Sequence, residues 1–174
     1  MSIDLRFPVG PFSAVAETTD VIDGAIHDIE SLPATLRAAV NGLTDQQLDT
    51  PYRPGGWTVR QLVHHVADSH SNGMTRTKLA LTEDNPTIKP YDEAAWAELA
   101  DTRLPIDLSL TILDGVHRRW VQVLRSLSPG QFARTFVHPE HGLTMTIGYQ
   151  VQNYGWHSRH HVAHITALRQ RQGW

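Results

Sequence analysis

Apolar residues recur at intervals of three and four along four long stretches of the chain, the rhythm of helices that bury one face. The first carries Ile22, Ile26, Ile29, Leu36, Val40 and Leu43. Ser31 ahead of Leu32-Pro33 reads as an N-cap with proline in the first turn, which predicts two consecutive helical pieces here. Thr44-Asp45-Gln46-Gln47 is a capping box opening a short turn, and Thr50 to Gly56 is a loop by its prolines and glycines. A second capping box, Thr58-Val59-Arg60-Gln61, opens a long helix to about Glu83, where Asn85-Pro86 stops it. Its inner stripe is Val59, Val63, Val66, His70, Gly73, Thr77 and Leu81. His65 and Ser69 flank that stripe, and His64 and Asp68 point away.

Pro86 to Pro105 reads as a crossover with one helical turn at Asp92 to Leu99, pinned by Tyr91 and Trp96. The third long helix carries Leu110, Leu113, His117, Trp120, Leu124 and Leu127 and ends at Ser128-Pro129-Gly130. Phe132 to Val137 and Leu143 to Ile147 are rich in β-formers around the turn His138-Pro139-Glu140-His141-Gly142, which predicts a two-stranded ribbon. Gly148 then leads into a last helix. The sum is an all-α fold, a four-helix bundle with a small β-ribbon before the last helix, in a single domain over residues 1–174.

The last helix departs from the ordinary pattern. Tyr154, His157, His161, His164 and Leu168 occupy its core-facing stripe, so three imidazoles stand where leucines belong, and His160 lies to one side. Residues one helical turn apart lie about 5–6 Å apart at Cβ, close enough for His157 and His161 to grip one metal ion. Histidine also enters the seams of the second helix, at His65 and His70, and of the third, at His117. A catalytic zinc-like site takes three protein ligands and leaves a position open. Helical phase alone leaves the third ligand unassigned among His65, His70 and His117. The alternative for these histidines is a polar face hydrogen-bonded to its neighbours. His138 and His141 form a further candidate pair in the ribbon turn.

Eleven histidines are the one compositional oddity in 174 residues. The formal charge of −3 argues against nucleic acid, since no basic stripe is left to meet phosphates. The absence of cysteine removes disulfides, thiolate zinc sites and a cysteine nucleophile. No run approaches the roughly 18 apolar residues of a membrane helix, and Met1 to Gly10 lacks the signature of a secretory signal, so the expected location is the cytoplasm.

Seven segments carry a resemblance to the DinB-like superfamily, and within it to the YfiT group. They are Tyr52 to Gln61, His64 to His70, Lys78 to Glu83, Pro86 to Tyr91, His117 to Trp120, His138-Pro139-Glu140 and Trp156 to Ile165. The resemblance implies a bundle binding one divalent metal per chain, zinc or nickel, through His65 of the second helix and His157 and His161 of the fourth. The wider superfamily more often has glutamine where this chain has His164, which makes His164 an alternate ligand or a partner of one. Members are described as metal-dependent hydrolases, and relatives transfer low-molecular-weight thiols such as bacillithiol to electrophiles. A homodimer is implied as well.

Both activities follow from one physical arrangement, a cation with an open position that activates water or a thiol against a small electrophile. Ser158, where the HExxH motif of metalloproteases has glutamate, cannot act as a base at neutral pH. Glu140, His117 and His164 are the candidate catalytic bases. The competing reading is a non-catalytic bundle whose metal is structural or regulatory. Trp57 and Trp156 precede the two ligand-bearing segments and are candidates for pocket walls or core.

Overall fold

The computed structural model describes residues 4–140 and 142–174, and its first long helix settles the question raised by Pro33. Helix α1 runs unbroken over Thr19–Val40, capped by Thr18, with the proline inside it. This corrects the expectation of two pieces. Ser31 is not a cap: its hydroxyl donates to the His27 carbonyl one turn back. Proline has no N–H for the carbonyl four residues earlier, which leaves Ile29 O without its helical donor. That carbonyl instead accepts from His117 Nδ1 at 2.5 Å. A side chain from another helix thus supplies the missing bond and lets α1 continue.

Helix α2 is the short turn Asp45–Leu48, and α3 spans Val59–Thr82; both open with the expected capping boxes. Arg60, nearly buried, donates to Asp49 at 2.6 Å and to Asp45 at 2.8 Å, fastening the short turn to the start of α3. The crossover holds α4 at Glu93–Ala97 and a 3-10 turn at Ala100–Arg103. Tyr91 and Trp96 do touch, with ring centroids 4.4 Å apart, although Trp96 stays largely exposed. His64 was expected to face solvent and does not. The end of the crossover and the first turn of the next long helix cover it, with Nδ1 2.7 Å from Ser109 Oγ and Nε2 3.1 Å from Leu104 O.

Helix α5 covers Asp107–Arg125, and α6 is a turn at Pro129–Phe132. Strands β1, Thr135–His138, and β2, Leu143–Thr146, pair antiparallel with Phe136 opposite Met145. The ribbon survives because it is packed on larger elements. Phe136 is buried, and Val137 exchanges backbone bonds with Pro86 and Ile88 of the crossover. Helix α7, Ile147–Gln172, begins directly at the ribbon's end with Thr146 as its cap.

Helix α1 packs between α5 and α7, and α3 also packs between α5 and α7. The consecutive long helices α1 and α3 therefore stand diagonally opposite, and α3 faces α7 across the seam where their histidines lie. The arm before α1 is tied along α7 by Gln152, which bonds both Val15 N and Val15 O, and by Trp156 Nε1 donating to Gly10 O. Among the described residues no helix is long and apolar enough to cross a membrane.

Candidate metal centre

The one-turn spacing on α7 brings His157 and His161 together, with Nε2 atoms 3.0 Å apart. His65 arrives from α3 and places its Nε2 3.4 Å from His157 Nε2. One ring nitrogen from each of the three lies within 4.8 Å of the other two. Tetrahedral coordination at 2.0–2.1 Å puts ligand nitrogens about 3.3 Å apart, so these separations bracket what a zinc-like ion requires. His65 and His161 are buried and His157 is partly open. Burial holds the His65 imidazole down to about 4. His157 and His161 lie well below the ordinary histidine range, first through burial and then through neighbouring imidazoles. Neutral nitrogens aimed at one point repel each other unless a cation or a proton lies between them, and neutral imidazole is the form that ligates a metal. The donor set fits a divalent ion.

A buried imidazole stands behind the central histidine of the cluster. His157 Nδ1 lies 3.1 Å from His70 Nε2. With His157 donating through Nδ1, its Nε2 lone pair is left pointing at His65 and His161. His70, fully buried, therefore lies behind the three-histidine cluster and outside it. His117 stacks on His70 with centroids 4.8 Å apart, and its Nδ1 is committed to Ile29 O. His117 thus lies two rings away from the site. Trp57 lies against His65 at 4.6 Å and walls the centre, whereas Trp156 stacks on His160 at 4.4 Å, away from it.

His164 continues the α7 stripe but pairs elsewhere. Its Nε2 is 3.0 Å from His160 Nε2, and its ring lies against Tyr52 at 4.2 Å. The three-histidine cluster does not include it. Asp68 is half-buried, and that burial pushes its carboxyl up to about 6, with Asp101 adding to the effect. Of the ribbon-turn pair, His138 is buried and His141 lies outside the described residues.

A cavity of about 690 Å³ runs past His157, walled by Ser69, Tyr91, Asn153 and the ribbon residues His138 and Glu140. Of the three candidate bases, Glu140 alone shares this cavity with His157, from an exposed position at the ribbon turn. The partner role of His70 is the feature that sequence reasoning missed. Its inward phase on α3 was visible, but that phase equally suits a ligand.

Fold and site together define a four-helix bundle with a candidate three-histidine metal centre between two adjacent helices, α3 and α7. The chain belongs to the DinB superfamily, whose model matches residues 28–165. It is 55% identical over 172 residues to a protein of Bacillus mycoides strain KBAB4, covering 98% of this chain and 99% of that one. A Bacillus cereus strain B4264 protein is also 55% identical over 172 residues, with the same coverage. Both carry the provisional name of metal-dependent hydrolase. The solved structure of YfiT from Bacillus subtilis matches with a TM-score of 0.95 and 47% identity over 99% of both chains. That protein is described, again provisionally, as a metal-dependent hydrolase with an unusual four-helix bundle topology.

Proposed function

We propose that the chain is a metal-dependent enzyme in which His65, His157 and His161 hold one divalent ion, zinc or nickel, and whose reaction is hydrolysis or thiol transfer. When bound, such an ion supplies Lewis acidity that brings the pKa of a coordinated water or thiol toward neutral. The protein's own residues do the rest. His70 fixes the His157 tautomer, burial keeps the three imidazoles neutral, and Trp57 covers His65 from one side. The cavity beside His157 gives a small electrophile a path to the centre. The single observation that carries the reading is the convergence of three ring nitrogens, one of them from His157, which also lines that cavity. A purely structural clip between α3 and α7 has no need of such an opening.

Among the described residues neither His117 nor His164 reaches the centre, which leaves Glu140 as the base for hydrolysis. For thiol transfer a bound ion would itself supply the acidity that lets a thiol give its proton to solvent, so no protein base would be required. The two reactions separate in one experiment. Zinc- and nickel-loaded protein is incubated with bacillithiol, mycothiol or glutathione and a haloalkyl acceptor, and separately with ester, amide and lactone panels. Thiol-dependent conjugation that disappears in His65→Ala assigns transfer. Turnover without thiol that disappears in the same variant assigns hydrolysis. No turnover in either arm, from protein carrying one metal per chain, refutes the enzymatic reading.

A further inference from the structure

The cavity past His157 contains polar groups that the metal centre does not use. Gln150 is almost completely buried, and its Nε2 donates to Gly73 O at 2.7 Å. Its Oε1 is buried without a hydrogen-bond partner, and the residue lines the same cavity. Arg76 Nε is likewise a buried atom without a partner, Tyr91 Oη is buried with the Ser69 side chain beside it, and both residues line the cavity. Buried polar atoms left unpaired are costly, and two of them beside a weakly tied phenol in the lining of one cavity are what a ligand-binding surface looks like before its ligand arrives. Two of the three are donors: a guanidinium N–H and a phenol that burial, reinforced by Glu93, keeps protonated. The third is an acceptor.

We propose that Arg76 and Tyr91 bind a carboxylate of the substrate and that Gln150 Oε1 accepts from an N–H or O–H near that carboxylate. The inference rests on reading the cavity as the approach to the candidate metal centre, and it adds the substrate's chemical class. A planar guanidinium suits a carboxylate. Asp92, Glu93 and Glu140 outnumber Arg76 in the lining, so each negative charge on a ligand is costly there, and a carboxylate with one charge is tolerated better than a phosphate with two. Gln150 precedes His157 by seven residues and Arg76 follows His65 by eleven, which places the anion roughly 10–17 Å along the helices from the imidazoles. The carboxylate therefore sits several bonds away from the atom that reacts.

Hippurate, which carries a carboxylate, a neighbouring amide N–H and an apolar ring, is the probe. Its binding is measured by calorimetry on zinc-loaded and metal-free protein and compared with neutral hippuramide and with phenyl phosphate. Hippurate is expected to bind more tightly than either, and Arg76→Gln to weaken it about tenfold or more. Tyr91→Phe should weaken it less, and hippuramide binding should barely change in either variant. Should Arg76→Gln fail to fold by circular dichroism, Arg76→Lys, which keeps the charge but loses the planar fork, should still cost several-fold. Equal binding of hippurate and hippuramide, preference for phenyl phosphate, or unchanged binding in the Arg76 variants overturns the inference. Zinc uptake with no hippurate binding removes this inference and leaves the metal reading intact. Arg76-dependent hippurate binding by protein that takes up no zinc does the reverse.

Discussion

Replacing His117 with phenylalanine keeps the ring that stacks on His70 but deletes the donor that serves Ile29 O. The His117 ring is almost fully buried, so no water can substitute at that carbonyl. An unpaired buried carbonyl costs about 1–3 kcal/mol, while a near-isosteric ring adds little packing strain. Phenylalanine also removes His117 Nε2, a buried atom without a partner, which offsets part of that cost, so His117→Phe should lower stability by about 1 kcal/mol, in a domain of this size a fall of about 2–4 °C in Tm. The decisive comparison is with Pro33→Ala, which restores the N–H that an uninterrupted helix would aim at Ile29 O. In that background the His117 bond is redundant, and His117→Phe should cost less by about 1 kcal/mol or more. The assay is urea unfolding followed by helical circular dichroism, on metal-free protein so that any effect relayed through His70 to a bound ion is absent. If His117→Phe costs the same with proline and with alanine at position 33, the histidine is not compensating for the proline, and the explanation of why α1 runs through fails.

His70→Ala should leave one metal per chain but weaken its binding about 10- to 100-fold, since the His157 tautomer is no longer held; competition with a chromophoric chelator reads this directly. His65→Ala, which removes a ligand, should abolish stoichiometric binding under the same conditions. Asp68→Asn should stabilise the protein at neutral pH, because the native carboxyl titrates near 6, above its unfolded value of 3.8. Its favourable contribution is complete below about pH 4 and lost as pH rises through 6, so the Tm difference between variant and wild type should grow over that interval; a pH-independent difference refutes the cause. Gly73→Ala should destabilise by about 1–3 kcal/mol despite better helix propensity, since its Cβ would stand 2.6 Å from Tyr154 Cζ and 2.7 Å from Trp120 Cη2, a clash visible as a lower urea midpoint.

Elements governed by local chemistry were legible in the chain. The capping boxes at Thr44 and Thr58, the stop after Glu83 and the i, i+4 pair on the last helix all follow from residues within one or two turns. Pro33 and His64 show where such reasoning fails. Each has a local reading, break and surface, that a distant residue reverses: His117 comes from α5 to satisfy the carbonyl the proline frees, and Leu104 of the crossover and Ser109 of α5 close over His64. The site shows the same division. Periodicity placed His157, His161 and His164 on one face, yet it carries no information about what stands opposite, and His164 finds His160 and Tyr52 while His157 finds His65 and His70. Choosing among His65, His70 and His117 required knowing that α3 faces α7 while α1 stands diagonally from α3. Loop composition does not encode that arrangement. It is settled by how the four stripes pack together: the α3 face that turns toward α7 presents His65 directly to the α7 pair and leaves His70 one ring behind, where an imidazole can orient a ligand without becoming one.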